Sequence, residues 1–359
     1  MMSPLTSISR TLKRLSWNIR ELSNFIRELL IFINEGTKFL IVGHENPDGD
    51  CVGSQLALAS ALRRLGKKVI PCSAGPFNRA EVKPYKNLFY SDPKLIENEL
   101  NETEFNGTGL SETPFRVILL DCSSLDRTGD ISKLLEGRPL SIIDHHETRD
   151  ATLQPGNVCY FDVSAPSTTF MVMKIISALG LEINREEAEI LFFGLCTDTG
   201  FFRHVERDAV VVFEAALTLI RLGANPKAAY SAIYGGKSLN SRRLIGQTLA
   251  NAESLFDGKL VMSSESYEEI KSFGLENWDS DGLYQLLQSV EGVEAIVIIR
   301  QETPETCIVG LRSRSTVDVG SIAGGFGGGG HKNAAGFNLD GTIGEVKEKI
   351  VKAFQGVFA

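Results

Sequence analysis

His44-Glu-Asn-Pro-Asp48-Gly-Asp50 follows directly on an apolar segment, Phe39 to Gly43, that has the composition of a buried strand. The proline and the glycine shape a tight loop, and such a loop can turn an imidazole and two carboxylates toward one point. These groups are ligands of first-row divalent metals. Because open α/β sheets bind ligands beyond the carboxyl ends of their strands, the segment predicts a metal site at that edge of a sheet.

Other residues of types that bind metals lie at the ends of further predicted strands and helices. Asp121 ends the segment Val117 to Leu120, Asp144-His145-His146 ends a second one, and Asp198 lies at the end of a predicted helix. A lone aspartate at a strand end is commonly a cap or turn residue. Two histidines and four aspartates together would be costly unpaired anions unless cations neutralised them. The set therefore predicts a two-metal hydrolytic site, and its lack of cysteine favours Mn²⁺, Mg²⁺, Fe²⁺ or Co²⁺ over structural zinc.

A repeated rhythm of strand, loop and helix surrounds these segments. The predicted strands are Phe39–Gly43, Lys68–Cys72, Arg116–Asp121 and Leu140–Asp144, and the predicted helices are Val52–Leu65, Ser167–Leu179 and Arg185–Cys196. This alternation is typical of the α/β class with a doubly wound, mostly parallel sheet.

The rest of the chain predicts a second, smaller domain of the α+β type. A helical stretch runs from Glu206 to about Asn251, and it is followed by the strands Lys259–Ser263, Glu294–Arg300 and Thr306–Leu311 and the helix Ile343–Phe354. We expect an N-terminal helix over residues 1–36, a catalytic domain over 37–222, a helical connector over 223–252 and a substrate-binding domain over 253–359.

Apolar residues of the N-terminal segment recur at alternating spacings of three and four, from Leu5 to Ile33. This stripe predicts one long amphipathic helix ending at Gly36. Packing on its own domain is the simplest interpretation. Self-association into a homodimer and binding to a membrane surface stay open, although its basic residues are mixed with glutamates.

Composition excludes several classes of protein. The 37 Lys and Arg residues against 45 Asp and Glu residues give a net charge of -8, which argues against tight binding to long or duplex nucleic acid. The apolar run Leu29 to Ile33 is far shorter than the roughly 20 residues that span a bilayer. Glu21 and Glu28 interrupt any signal-peptide core, and six cysteines show no CxxC spacing. We expect a cytoplasmic protein without a membrane segment.

Three of the six cysteines stand beside proposed ligands, namely Cys51, Cys122 and Cys196. Their neighbours already provide a complete set of oxygen and nitrogen ligands. We therefore expect all three to be small, buried packing residues.

A glycine-rich segment in the second domain is the other concentrated signal. It runs from Gly324 to Gly336 and includes His331. It contains a formal GxGxxG but lacks the strand before and the long apolar helix after that a dinucleotide-binding loop requires. A flexible linker is one alternative. The preferred interpretation is a nest of backbone N–H groups for an anionic oxygen, with His331 and Arg312 adding charge.

Together these motifs closely resemble the DHH phosphoesterase superfamily, named for the motif present here as Asp144-His145-His146. The resemblance runs from His44 to Gly336 and includes HxNPDGDxxGS, the strand-terminal Asp121, TDTG around Asp198, and GGGGHKNAAG from Gly327. It implies an N-terminal DHH domain and a C-terminal DHH-associated domain, and the subgroup most resembled is the bacterial nanoRNase type.

The resemblance also implies roles for individual residues. One metal ion would be held by His44, Asp48 and Asp121, and the other by Asp50, Asp121, His145 and Asp198, so that Asp121 bridges the two. His146 would face the scissile phosphate or leaving group, or else only support His145. The substrate would be bound by Asn46, Arg203, Arg312, Ser313, Gly328, Gly329, Gly330 and His331. The chain departs from the family pattern after TDTG, which leaves the contacts of Arg203 and His204 open.

The activity so implied is metal-dependent hydrolysis of short nucleotides. The expected cofactors are two divalent ions, Mn²⁺ first among them, and the expected substrates are dinucleotides such as pApA, oligoribonucleotides up to about five-mers, 3'-phosphoadenosine 5'-phosphate (pAp) or cyclic di-AMP. One alternative is an inorganic pyrophosphatase or polyphosphatase, although that branch would need a Lys/Arg-rich clamp in place of GGGGH. A non-catalytic nucleotide-binding protein is the other alternative, and the complete ligand set argues against it.

Overall fold

The computed structural model describes residues 19–101, 115–146, 156–205, 210–274, 280–314 and 316–358. The chain divides into two compact units, Met1–Gly236 and Lys237–Ala359. This division falls inside the stretch expected to be a helical connector, and the four-part domain scheme stays a prediction.

The first unit is built on a five-stranded sheet of order β2-β1-β3-β4-β5, in which all neighbouring strands are parallel. Its strands are β1 (Lys38–Val42), β2 (Lys68–Cys72), β3 (Arg116–Leu120), β4 (Leu140–Asp144) and β5 (Val158–Phe161). Nearly every residue of the first four strands is buried, because helices cover both faces of a parallel sheet. The predicted α/β class with a parallel sheet is confirmed.

Eight α-helices of the first unit lie within the described residues. They are α1 (Ile19–Glu35), α2 (Gly49–Arg64), α3 (Pro93–Asn101), α4 (Ser132–Leu135), α5 (Thr168–Ala178), α6 (Arg185–Asp198), α7 (Val210–Arg221) and α8 (Pro226–Tyr234). Side chains alternate along β1, so that Phe39 and Ile41 enter one core while Leu40 and Val42 enter the other. No helix among the described residues is long and apolar enough to cross a lipid bilayer.

The start of α2 differs from the prediction. The helix begins at Gly49 and not at Val52, because Oδ1 of Asp48 accepts hydrogen bonds from the backbone N–H groups of Asp50 and Cys51 at 3.1 and 3.0 Å. Asp48 is thus the N-cap of the helix. The loop that carries the predicted metal ligands therefore leads directly into the first turn of the helix.

The N-terminal helix is described from Ile19, and the predicted part from Leu5 to residue 18 lies outside the described residues. Within α1, Phe25, Leu29 and Ile33 are buried in the core of the first unit. The described part of the helix therefore packs on its own domain.

The second unit has a six-stranded sheet of order β10-β11-β9-β8-β7-β6, in which only β7 and β8 pair in parallel. Its elements are α9 (Leu239–Ala250), β6 (Glu253–Leu255), β7 (Leu260–Glu265), α10 (Tyr267–Phe273), α11 (Ser280–Gln288), β8 (Ala295–Thr303), β9 (Thr306–Ser313), α12 (Val319–Gly325), β10 (Gly329–His331), β11 (Ala334–Asp340) and α13 (Ile343–Phe358). The mixed sheet with separate helices confirms the predicted α+β architecture of this half.

Candidate metal centre

His44 follows β1 and is 7% exposed. Its Nδ1 lies 2.7 Å from the backbone oxygen of Glu45. Because a carbonyl oxygen only accepts, Nδ1 carries a hydrogen, and Nε2 is the ring nitrogen that an ion could bind in place of a proton. Nε2 lies 3.5 Å from Oδ2 of Asp121 and 4.0 Å from Oδ1 of Asp48. The fixed tautomer thus presents a ligand nitrogen to two carboxylates.

Asp121 follows β3 with a backbone φ of 62°, a left-handed conformation that residues other than glycine seldom adopt. The side chain is buried, and its two oxygens face different histidines. Oδ2 lies 3.5 Å from Nε2 of His44, and Oδ1 lies 3.7 Å from Nε2 of His145. A carboxylate in this position can bridge two ions. Such backbone strain is common where function fixes a side chain.

His145 follows β4 in a similar way. Its Nδ1 lies 3.2 Å from the backbone oxygen of Ala165, which leaves Nε2 as the ligand atom. Nε2 lies 3.1 Å from Oδ2 of Asp198, at the end of α6, yet it is a buried atom without a hydrogen bond among the described residues. A buried nitrogen left unsatisfied in this way fits a metal ligand.

His146 lies beside its own motif residue Asp144. Nδ1 of His146 is 2.7 Å from Oδ1 of Asp144, and the backbone N–H of His146 also donates to that oxygen at 3.2 Å. Burial raises the pKa of Asp144, but the hydrogen bonds and charge of His146 outweigh it and lower the pKa below its usual value. Asp144 therefore stays ionised and fixes the ring of His146. Sequence reasoning assigned Asp144 no role of its own.

Asp50 is fully buried and is held by the first turn of α5. Its Oδ2 accepts from the backbone N–H of Thr168 at 2.6 Å, and its Oδ1 accepts from the N–H and the hydroxyl of Thr169 at 2.8 and 2.6 Å. The Thr168 hydroxyl donates to Oδ1 of Asp121 at 2.9 Å. The two threonines thus position two carboxylates, and neither threonine was predicted as a site residue from the sequence. The local feature of the sequence that points to these threonines is Ser167, which caps the helix in whose first turn they lie.

The electrostatics of this cluster favour cations. Burial, and then the charge of Asp198, raise the pKa of Asp50 to about 7. Burial, and then the charge of Asp50, raise the pKa of Asp121 well above its usual value. Burial alone would lower the pKa of His145, but Asp198 and its neighbours raise it to about 10. Without divalent ions, protons alone would have to offset the repulsion between these carboxylates.

Three groups of described residues could each hold an ion, with ligand atoms within 4.8 Å of one another. They are His44 with Cys51 and Asp121, Asp121 with His145 and His146, and Asp50 with His145 and Asp198. Five of the six residues expected as metal ligands occur in these groups. Asp48 lies near His44 but uses Oδ1 to cap α2. Cys51, expected only to pack, joins one of the groups.

In the second unit, Arg312 and His331 lie in one cross-strand row. Arg312 pairs with Ala334, and Ala334 pairs with His331, which puts all three on one face of the sheet. Two strand spacings separate the Cα atoms of Arg312 and His331 by about 10 Å. The guanidinium of Arg312 lies 4.5 Å from the ring centroid of Tyr284, which holds it over this face. Ser313 lies on the opposite face, and its hydroxyl contacts Asn333.

The glycine-rich segment forms regular structure. The N–H groups of Gly327 and Gly328 donate to the carbonyls of Gly324 and Ala323 at the end of α12. These two N–H groups are therefore used by the helix cap, and an anion nest formed by the rest of the segment stays a prediction.

Gly329 and Gly330 lie in β10. Gly329 pairs with Gly336, and Gly336 pairs with Gly310, so three glycines lie beside the row of Arg312 and His331. The side chain of Tyr284 fills the space over Gly310. Gly330 alternates onto the other face of the strand. The substrate-binding roles of Gly328, Gly329 and Gly330 stay predictions.

The remaining predicted substrate residues lie in the first unit. Oδ1 of Asn46 accepts from Asn78 at 3.1 Å, and its backbone φ is 50°. Arg203 and His204 are exposed after TDTG, and their side chains meet at 3.1 Å. Burial, and then the charge of Arg203, lower the pKa of His204. The substrate contacts of these residues stay predictions.

Comparison with known proteins gives a consistent family. The N-terminal domain of the DHH family matches residues 38–195, and the DHHA1 domain matches residues 263–359. The bifunctional oligoribonuclease and PAP phosphatase NrnA of Thermus thermophilus is 30% identical over 314 residues, which are 87% of this chain and 88% of that protein. A probable manganese-dependent inorganic pyrophosphatase of Bacillus licheniformis is 27% identical over 168 residues, which are 46% of this chain and 50% of that protein.

A solved structure supports the same fold. The crystal structure of an exopolyphosphatase-related protein from Bacteroides fragilis has a TM-score of 0.78 at 24% identity, covering 94% of this chain and 96% of that one.

The two family models and the match to NrnA show that the chain belongs to the DHH family of phosphoester hydrolases, with a DHH N-terminal domain followed by a DHHA1 domain.

Proposed function

We propose that this protein is a two-metal phosphodiesterase that hydrolyses short oligonucleotides and dinucleotides to mononucleotides. The observation that carries the proposal is the position of Asp121, whose two carboxylate oxygens face Nε2 of His44 and Nε2 of His145. Two divalent ions sharing that carboxylate would supply an activated water and neutralise charge on the phosphoryl group. Mn²⁺ is the proposed ion, because the matched pyrophosphatase carries manganese dependence in its name.

We propose His146 as the proton donor to the leaving group. Its Nδ1 hydrogen is committed to Asp144, and the side chain is 38% exposed, whereas that of Asp144 is 1% exposed. Its Nε2 can therefore reach a substrate while the ring stays fixed. A positioned acid of this kind contributes about 10²- to 10⁴-fold to a rate.

The second unit supplies groups that fit a nucleotide. Arg312 offers a planar, charged fork for a phosphate, and His331 lies in the same row. Beside them, no side chain of the described residues lies over the backbone of Gly336 and Gly329. We propose that these residues bind the terminal phosphate of the substrate. A chain with net charge -8 would then rely on local contacts and would favour short strands over long ones.

Substrate identity within this class is also part of the proposal. NrnA of Thermus thermophilus, an oligoribonuclease and PAP phosphatase, matches 87% of the chain, and we carry both activities over as candidates.

A cytoplasmic location is proposed because all six cysteines are free thiols. Self-association through the N-terminal segment into a homodimer stays a proposal.

Pyrophosphate hydrolysis is the second candidate function. It is favoured by the pyrophosphatase match, which covers 46% of the chain. The test is an assay with Mn²⁺ on pAp, pApA, cyclic di-AMP, two- to five-mers, a twenty-mer and pyrophosphate. We expect turnover of the short nucleotides and little of the twenty-mer. Turnover of pyrophosphate without turnover of pApA would establish the second function, and equal rates on dimer and twenty-mer would overturn the preference for short strands.

A further inference from the structure

Cys51 lies in the first turn of α2, one residue after Asp50. Its Sγ, a ring nitrogen of His44 and a carboxylate oxygen of Asp121 all lie within 4.8 Å of one another. The exposed fractions of these three side groups are small, since Cys51 is 0%, His44 is 7% and Asp121 is 2% exposed. A cysteine that only packs in a core does not need its thiol to lie beside two candidate metal ligands.

The surroundings of Sγ hold it toward these two residues. Cys51 and His44 share a side-chain hydrogen bond. Nε2 of Gln55 donates to Sγ at 3.3 Å. A Cβ at position 43 would collide with Sγ and with Nε2 of Gln55, so Gly43 is what allows the sulfur this position.

Gln55 gives a second, independent observation. It is fully buried, its Nε2 is aimed at Sγ, and its Oε1 has no hydrogen-bond partner among the described residues. An unsatisfied buried amide oxygen costs free energy. The side chain therefore presents a donor to the sulfur, which would stabilise the sulfur once a bound ion has displaced the thiol proton.

We propose that Cys51 is a sulfur ligand of the ion held by His44 and Asp121, and that its sulfur strengthens the binding of thiophilic ions such as Zn²⁺ at this position more than the binding of Mn²⁺. The inference depends on the proposed function only for the presence of an ion at this position. When the metal–sulfur bond forms, the Sγ–H bond breaks and the proton leaves to solvent, with no change in oxidation state.

Soft sulfur ligands favour zinc, whereas Mn²⁺ prefers oxygen ligands. A sulfur ligand at this position therefore adds more to the binding of a zinc-type ion than to the binding of Mn²⁺.

X-ray absorption at the zinc edge tests the proposal without any activity assay. The full-length protein is loaded with two equivalents of Zn²⁺, so that both positions fill. We expect a zinc–sulfur shell at about 2.3 Å beside nitrogen and oxygen ligands at about 2.0 to 2.1 Å. The shell should vanish in Cys51→Ala and persist in Cys196→Ala, a matched control because Cys196 is also fully buried and precedes Asp198 by two residues.

A wild-type spectrum without sulfur, or a sulfur shell that survives Cys51→Ala, would overturn the inference. The wild-type spectrum decides even if a variant fails to fold. Competition adds a second readout, in which Cys51→Ala lowers the affinity for Zn²⁺ at least about tenfold and leaves that for Mn²⁺ within about twofold. Equal changes for both ions would also contradict it. Absence of phosphodiesterase activity beside a clear sulfur shell would reject the proposed function and leave this inference standing.

Discussion

Oδ1 of Asp144 lies 2.7 Å from Nδ1 of His146, in a pair where the carboxylate is buried and the imidazole is partly exposed. Asp144→Asn keeps an acceptor oxygen but removes the charge that fixes the ring. We expect kcat on pApA to fall about 10- to 100-fold, with KM and bound Mn²⁺ unchanged. Asp130→Asn changes an exposed aspartate and serves as the control. A parallel loss of Mn²⁺ would show that Asp144 supports the metal ligands and not His146.

Arg312 offers a test of substrate binding that separates the second unit from the chemistry. Loss of a hydrogen bond to a charged group costs about 1.5 to 3 kcal/mol, so Arg312→Ala should raise KM for pApA about 10- to 100-fold. Hydrolysis of bis-p-nitrophenyl phosphate, which has no terminal phosphate, should not change. Arg314→Ala alters an exposed neighbouring arginine and provides the control. Equal losses on both substrates would place Arg312 outside phosphate recognition.

The stability of the metal-free protein should decrease as pH rises. The folded-state pKa of Asp50 is raised from 3.8 to about 7, and those of His44 and His145 are raised from 6.5 to about 9 and about 10. A raised folded-state pKa means that the folded chain binds protons more tightly, so this stabilisation is lost as pH increases through those values.

Melting temperatures of the metal-free protein between about pH 6 and about pH 10 provide the measurement, because this range contains the three shifted pKa values. We expect a steady fall without metal and a rise when Mn²⁺ is present, because metal binding replaces the protons. Asp50→Asn should flatten the lower part of the metal-free curve. A metal-free melting temperature that climbs over this range would contradict the assigned shifts.

Glu187 joins α2 to α6 through buried polar contacts. Its carboxylate accepts from Arg64 at 2.8 Å, from the Ser60 hydroxyl at 2.7 Å and from the backbone N–H of Asn184 at 3.0 Å. Glu187→Gln should therefore lower the free energy of unfolding by about 2 kcal/mol. Glu186→Gln, at an exposed position of the same helix turn, should change it little. Chemical denaturation of the metal-loaded forms gives both values, and equal stability of the two variants would contradict this role.

The positions of strand ends could be predicted because short apolar segments ended in chemically distinctive residues. His44, Asp121 and His145 follow three strands of the parallel sheet, and the topology of such sheets brings those ends to one edge. Strand β5 was not predicted, because its four apolar residues form a very short segment that is only half-buried. Residues outside the described ranges leave the first part of the N-terminal helix untested.

Contacts between distant segments could not be predicted from local pattern. The hydrogen bonds from Thr168 and Thr169 to Asp50 join residues 118 and 119 positions apart in the chain. The strand formed by Gly329 to His331 depends on pairing with β11, and a run of glycines shows no side-chain periodicity. Cys51 was assigned to packing because its neighbours seemed to complete the ligand set, and only the fold shows where its sulfur lies.

We expect Asp121 to bridge two divalent ions, which would lie about 3.5 to 4 Å apart. Titration of the metal-free protein with Mn²⁺, followed by electron paramagnetic resonance, tests it most directly. The wild-type chain should bind two ions with the spectrum of an exchange-coupled pair. Asp121→Asn should lose the coupled spectrum and retain one ion at most, while Asp126→Asn, at an exposed position, should match the wild type. A coupled pair that persists in Asp121→Asn, or a wild-type chain that binds a single ion, would contradict the account.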